Sequence, residues 1–200
     1  LLNENYVHPD MPAGAEPGII KGMYLLREGK GSKGAPRVQL MGSGAILREV
    51  MAGAEQLEND FGIACDIWSV TSFTELRREA EAADRWNMLH PLEKPRVPYV
   101  RECILSRGDT PVVASTDYMK MFAEQVRPFI PGQYRVLGTD GFGRSDFRKK
   151  LRSFFEVDRN HVAVAALKAL ADENKIPSTK VAEAIKKYGI DPNKPDPTRV

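Results

Sequence analysis

Apolar residues at Ile46, Leu47, Val50, Met51, Ala54, Leu57 and Phe61 recur every three or four positions, the spacing of one buried helix face, and Gly62 supplies the stop. Residues 63–70 follow as a near-continuous apolar run of strand length. The same alternation organises most of the chain. Residues 22–26 and 38–41 predict two strands joined across a Gly/Lys-rich turn at 28–36, short enough to make them antiparallel neighbours. Phe73, Leu76, Ala80 and Ala83 are spaced for an amphipathic helix ending near Trp86, and Pro91, Pro95 and Pro98 rule out regular helix in the loop behind it. A short helix at 99–105, a buried strand at 111–115, a helix at 119–129 stopped by Pro131, and a strand at 133–137 come next. A charged amphipathic run begins at Phe147. Asp158 is a candidate N-cap for a helix reaching residue 174, with Val162, Ala166, Leu167 and Leu170 on one face. A last helix at 179–188 turns Val181, Ile185 and Tyr188 inward before Gly189.

Strands separated by helical connections, with one early hairpin, predict an α/β fold: a three-layer α/β/α arrangement of a mainly parallel five-stranded sheet with one antiparallel edge strand. Residues 1–18 hold Pro9, Pro12, Gly14, Pro17 and Gly18 with few large apolar residues, and read as a linker or extended arm. The domain spans 19–190, and 191–200 read as a loose tail.

Composition narrows the function classes. With 200 residues, 42% apolar and 28% charged, the chain can bury a core of its own without staples. A net charge of +2 argues against a nucleic-acid partner, which calls for many clustered cations. The densest basic stretch holds Arg144, Arg148, Lys149, Lys150 and Arg152, and reads as a solvated helix face. Cys65 and Cys103 lie far apart inside apolar runs, as expected of buried free thiols in a reducing compartment. No apolar run approaches the ~20 residues that cross a bilayer, which argues against a membrane partner. The first residues lack the features of a signal peptide, and the chain does not begin with methionine. The expectation is a cytoplasmic protein and a piece of a longer one.

Candidate chemistry gathers where strands end. Tyr-Arg-Val-Leu-Gly-Thr-Asp-Gly-Phe-Gly-Arg-Ser-Asp at 134–146 has the strand, tight loop and helix order that builds sites at carboxyl ends of strands. Read as a phosphate cradle, the loop is flanked by Asp140 and Asp146, which repel an anion, with Arg144 to offset them. It also lacks the P-loop lysine, so a glycine-dependent turn is the preferred reading. Gly-Ser-Gly-Ala-Ile-Leu at 42–47 likewise follows a strand and opens a helix. The next strand ends Ser69-Val70-Thr71, without the acid an adenosine ribose needs, so this too reads as a tight turn. Of three histidines, His8 lies in the linker and His161 in the first turn of a helix. His90 sits in a loop beside Trp86 and Asn87, where a proton carrier could work, although a packed histidine with a backbone partner is preferred. Glu75, Glu79, Glu81 and Asp84, interleaved with Arg77, Arg78 and Arg85, read as surface pairs. The residues by themselves offer a fold and no active site.

Four strings nevertheless resemble one family. These are Ser-Val-Thr-Ser-Phe-Thr-Glu-Leu at 69–76, Arg-Trp-Asn-Met-Leu-His-Pro at 85–91, Ala-Ser-Thr-Asp-Tyr-Met at 114–119 and Leu-Gly-Thr-Asp-Gly-Phe-Gly-Arg-Ser-Asp at 137–146. Together they are similar to the C-terminal domain of the homodimeric bacterial pyruvate dehydrogenases, thiamine diphosphate-dependent members of the transketolase-like group. Asn-Glu-Asn-Tyr at 3–6 and the interval 38–44 fit the same family. The resemblance implies a transketolase C-terminal fold with one antiparallel edge. It implies a parent oxidoreductase that uses thiamine diphosphate and Mg²⁺ to decarboxylate pyruvate and pass the two-carbon unit to a lipoyl group. The implied partners are the remaining domains of the subunit, a second subunit, and the dihydrolipoyl acetyltransferase. In that family the Gly-Asp-Gly diphosphate motif with its downstream Asn, and the activating glutamate, belong to other domains. Here Asp140-Gly141 is preceded by Thr139, so no catalytic, cofactor-binding or metal-ligating residue is carried over and the chain alone is expected to be inactive. Its implied role is to complete the subunit and support the dimer. The loops at 42–45, 71–74, 116–118 and 139–145 are expected along one sheet edge, one or more of them facing a neighbouring domain and shaping the site entrance, with roles for His90, Asp140 and Arg144 left open. The rivals are a stand-alone module binding a nucleotide or acidic peptide, and the equivalent domain of a transketolase.

Overall fold

The computed structural model describes residues 7, 9–32 and 34–200. Asn3 to Tyr6 and His8 lie outside these residues. Five strands form one sheet: β1 (Met23–Arg27), β2 (Arg37–Ser43), β3 (Ala64–Val70), β4 (Val112–Ser115) and β5 (Tyr134–Leu137), in the spatial order β1-β3-β2-β4-β5. Only the edge pair β1·β3 is antiparallel; β3·β2, β2·β4 and β4·β5 are parallel.

The antiparallel edge is as expected, but the early hairpin is not. β3 lies between β1 and β2, so the 28–36 connection crosses one strand instead of turning back on a neighbour. Strands are only about 4.8 Å apart, and a loop of this length spans one of them easily. Glycine makes the crossing possible: a Cβ at Gly29 would sit 2.5 Å from the Cys65 nitrogen, and one at Gly31 2.7 Å from the Ala64 Cβ. Asp66, fully buried on β3, fastens the crossing. Its Oδ1 accepts from the Gly29 N–H (2.8 Å), Arg37 (2.8 Å) and Arg107 (3.2 Å).

Helices cover both faces. Alternate strand residues Val38, Leu40, Cys65, Ile67 and Val113 pack under α2 (Leu47–Phe61), α7 (Arg159–Asp172) and α8 (Thr179–Lys187). The other set, Met23, Met41, Trp68, Val112 and Ala114, packs under α3 (Phe73–Leu89), α4 (Tyr99–Leu105) and α5 (Lys120–Glu124). Gln39 is the polar exception in this second layer. Its Oε1 accepts from Trp68 Nε1 (2.9 Å) and its Nε2 donates to the Ile104 carbonyl (3.0 Å) and Thr110 (3.1 Å), so burial leaves neither end unpaired.

Three local expectations change. The arm carries a short helix, α1 (Glu16–Lys21), because Pro17 stands in the first turn, where a missing N–H is harmless, and Gly22 closes it at φ 102°. The helix expected at 119–129 is broken into α5 and a 3-10 turn at Arg127–Phe129. Pro128 has no N–H and its ring opposes the Glu124 carbonyl one turn earlier. The tail 191–200 forms no helix or strand, yet it is fastened. Lys194 Nζ donates to the Phe154 carbonyl (2.6 Å) at the end of α6 (Arg148–Phe154) and pairs with Glu156 (3.1 Å).

Candidate functional site

Two connections part at the carboxyl edge of the sheet. α2 leads from β2 to β3 on one side, whereas α5 leads from β4 to β5 on the other, so the gap between β2 and β4 is the switch point where α/β sheets open a crevice. A cavity of ≈ 300 Å³ lies there. Ile46 follows β2, Asp117 follows β4, and Thr139, Gly141, Gly143 and Arg144 follow β5; α6 closes the remaining side with Arg148, Leu151 and Arg152.

The surrounding loops are stitched together. Thr139 donates through its N–H to the Tyr118 carbonyl (3.0 Å) and through its hydroxyl to the Asp117 carbonyl (2.8 Å). The Lys120 N–H donates to Asp140 Oδ2 (3.3 Å), which turns that carboxylate into an adjoining depression lined by Lys120, Lys194 and Asp196. Gly141, at φ 104°, also lies under the tail: a Cβ there would sit 2.5 Å from the Pro197 carbonyl oxygen. Asp146 accepts from the Phe147 N–H (2.7 Å) and faces Lys150 (3.9 Å). The loop at 71–74 is closed off. The Thr71 and Ser72 N–H groups donate to the Gly22 carbonyl (2.9 and 3.1 Å), and Ser72 Oγ caps α3 by accepting from the Glu75 N–H (3.0 Å). The Gly42 loop is filled by its own helix, since a Cβ would meet the Leu47 Cα at 2.8 Å. Of the four loops expected at this edge, those after β4 and β5 form the cavity wall, together with Ile46.

Glu49 anchors the wall from behind. It is 6% exposed on α2, and its carboxylate accepts from Arg152 (2.9 Å) and from the side chain (3.0 Å) and backbone (3.1 Å) of Arg159. Burial alone would raise its pKa, but the hydrogen bonds and charge of Arg159, with the charge of Arg152, hold it below the usual glutamate range. The sequence carried a signal for this acid: Glu49, Gly53 and Leu57 share one helix face and all three are buried.

The remaining candidates lie elsewhere. His90 is exposed and stacks on Trp86 (4.4 Å between ring centroids) with Nδ1 2.8 Å from the Trp86 carbonyl, so it has the backbone partner without being packed in the interior. This pair stands at the end of α3, where Asn87 clamps the returning loop by donating to the Arg96 carbonyl (2.9 Å) and accepting its N–H (2.7 Å). Arg96 covers Trp86 at 4.1 Å, while Met88 (71% exposed), Leu89 and Leu92 (99% exposed) face outward. His161 is held by Asp158, whose Oδ1 accepts the His161 N–H (3.0 Å) as the foreseen N-cap of α7. Arg77–Glu81 and Arg78–Glu75 are surface pairs, but Glu79 accepts the Tyr99 N–H (2.8 Å) and starts α4. Both thiols are free; Cys65 is buried, which pushes its pKa well above the ordinary thiol value, and Cys103 is half-buried.

A Mg²⁺-bound diphosphate such as thiamine diphosphate–Mg²⁺ does not fit the residues of this edge, because no cluster of three metal-ligating side chains occurs among the described residues and the Asp140 carboxylate is taken by the Lys120 N–H. No helix among them is long and apolar enough to cross a membrane.

Residues 22–158 match the model of the transketolase-like TK C-terminal domain. Relatives similar over the chain include the pyruvate dehydrogenase E1 components of Pseudomonas aeruginosa (63% identical over 98% of this chain), Cupriavidus necator (60% over 100%) and Escherichia coli (58% over 98%). The chain spans 22% of the length of each of these curated relatives. Solved structures that share the fold include a Pichia stipitis transketolase complexed with sedoheptulose-7-phosphate (TM-score 0.56, 16% identical, covering 84% of this chain and 20% of that one). A Leishmania mexicana transketolase is a further one (TM-score 0.51, 17% identical, covering 80% and 19%).

Proposed function

The chain belongs to the transketolase-like C-terminal domain family, and from that premise we propose that it is the C-terminal domain of a pyruvate dehydrogenase E1 component. The observation that carries the reading is 60% identity over all of this chain to a relative more than four times its length. In this reading the parent enzyme binds thiamine diphosphate and Mg²⁺ in its other domains, decarboxylates pyruvate in the cytoplasm, and transfers the two-carbon unit to a lipoyl group of the acetyltransferase. This domain supplies no catalytic, cofactor-binding or metal-ligating residue. Residues 1–18 are the arm from the preceding domain, 19–190 the domain body, and 191–200 the tail fastened across Gly141.

The domain's work is mechanical. Two separate apolar layers give it a core on each sheet face, so it can serve as a rigid block. The end of α3 carries Met88, Leu89 and Leu92 outward on a loop already fixed by Asn87, which suits contact with another domain or the second subunit. One or more of the carboxyl-edge loops faces the neighbouring domain of the same subunit and shapes the site entrance.

An antibody raised against this chain tests the reading in its source cells. A band several times heavier than 22.3 kDa is expected, and immunoprecipitates should decarboxylate pyruvate. A single band at 22.3 kDa would withdraw it.

A further inference from the structure

We propose that the cavity at the switch point binds a small phosphate-bearing molecule, with Arg144 as its charged contact. The inference rests on this cavity alone and does not depend on the pyruvate reading.

The position favours a ligand on topological grounds, because the exits of β2 and β4 diverge and leave a gap that no side chain of the sheet fills. Its ≈ 300 Å³ is at the small end of the range for organic ligands, ~300–1,000 Å³. The walls divide by chemistry. Ile46, Leu151, Phe155 and Val157 form an apolar floor, and Arg144, Arg148, Arg152 and Asp117 bring charge to it, Arg148 and Arg152 being engaged by other groups as well.

The sequence-level objection to an anion here was the pair Asp140 and Asp146. Neither lines the cavity: Asp140 is held by the Lys120 N–H on the far side of the loop, and Asp146 serves the Phe147 N–H and Lys150. Arg152 is countered by Glu49. Arg144 instead rests 5.1 Å from the Phe154 ring centroid and forms no ion pair with an acid among the described residues, so its charge stays available at the cavity mouth. Gly141 and Gly143 line the same space, and their N–H groups donate to no acceptor among the described residues. Backbone donors and a guanidinium converging on one space are the chemistry that holds phosphate oxygens. Phe142, between the two glycines, is 80% exposed, so its ring is open to contact by a group attached to the phosphate.

Titration calorimetry of the 200-residue chain with inorganic pyrophosphate, at ionic strength held constant with chloride, tests the assignment. Saturable one-to-one binding is expected. Arg144→Ala should weaken it by roughly tenfold or more, the loss of a charge-assisted hydrogen bond. Arg101→Ala, an exposed cation on α4 in the opposite layer, should leave it unchanged. Amide shifts of Gly141 and Gly143 on titration place the ligand at the loop. A parallel titration with ATP identifies the source of the phosphate. Tighter binding that Phe142→Ser reduces to the pyrophosphate level supports a nucleotide, and equal binding supports recognition of the phosphates alone. Absence of saturation with both probes, or equal loss in Arg144→Ala and Arg101→Ala, would overturn the proposal.

Discussion

The switch-point cavity and the end of α3 are built on opposite principles. The cavity is concave, basic and assembled from segments far apart in sequence: Ile46, Asp117, Gly141 and Arg148 meet only in the folded chain. The α3 tip is convex and apolar, and it is made by one local stretch whose two strands of chain are tied by the Asn87–Arg96 pair. A concave basic space selects a small anion, whereas a preorganised apolar protrusion adds buried area to a macromolecular contact without an ordering penalty. The two surfaces differ in shape and in chemistry, and perturbing one should leave the other intact.

The largest separation comes from Glu49. Glu49→Ala leaves Arg152 and Arg159 without their shared carboxylate and loosens α6, the outer wall of the cavity, and the start of α7, while the tip lies in the opposite layer. Urea denaturation should show a loss of about 3 kcal/mol, reduced from the fully buried case because Arg159 is half exposed. The pH dependence follows from the same contact. A carboxyl whose folded pKa lies below its unfolded value stabilises the fold above the unfolded value, about 4.3, and that contribution disappears as pH falls through the folded value. Wild type should lose more stability between pH 6 and pH 3 than Glu49→Ala does; parallel curves would remove Glu49 from the account.

Gly141→Ala comes next. It places a Cβ at positive φ and against the Pro197 carbonyl, so the tail must lift or the loop must shift. A loss of about 2 kcal/mol is expected, with faster hydrogen exchange at Thr198 and Arg199, whose N–H groups donate to Asp196, and none at the tip. Asn87→Ala should do the reverse. Two hydrogen bonds that close the loop disappear, exchange accelerates at Arg96 and Val97, and global stability falls by only about 1 kcal/mol. The smallest effect belongs to Met88→Ser with Leu92→Ser, exposed side chains whose removal should change the stability of this chain by less than about 0.5 kcal/mol. In the long parent the same pair should weaken assembly, read by analytical ultracentrifugation; unchanged assembly would make the tip a mere surface loop.

Helix ends show how local and tertiary information combine. α6, α7 and α8 all finish in the same paired hydrogen bonds: Val157 N–H to the Arg152 carbonyl (2.9 Å), Lys175 to Leu170 (2.9 Å) and Ile190 to Ile185 (3.0 Å). The residue at positive φ is Gly189 in one, Asn174 in another and Glu156 in the third. Glycine announces such an ending and a glutamate does not. Glu156 is tolerated because Lys194 arrives from the tail to pair with it (3.1 Å) and to take the Phe154 carbonyl (2.6 Å). No local reading of residues 191–200 could see that partner.

The elements were legible for a simple reason. Burial on one face imposes periods of 3.6 and 2 on the chain, so α2, β3, α3, α4 and the Asp158-capped α7 stand close to where the pattern puts them. The closing Gly62 and the stacked His90 are likewise local features, whereas the antiparallel edge pairs Met23 with Val70 and not with the next strand. Strand order was not legible, because a short connection bounds how far the chain travels without saying what lies beneath it. Gly29 and Gly31 pass over β3, and only the folded sheet shows why both are glycine. The cavity belongs to the same class. Sequence counted Asp140 and Asp146 beside Arg144 as one charge cluster; tertiary structure separates them, since hydrogen bonds to Lys120 and Phe147 turn the acids away and leave the guanidinium at the cavity. Periodicity is a property of each segment and survives in one dimension. The direction of a charge depends on which distant groups claim it, and that is decided only when the segments pack.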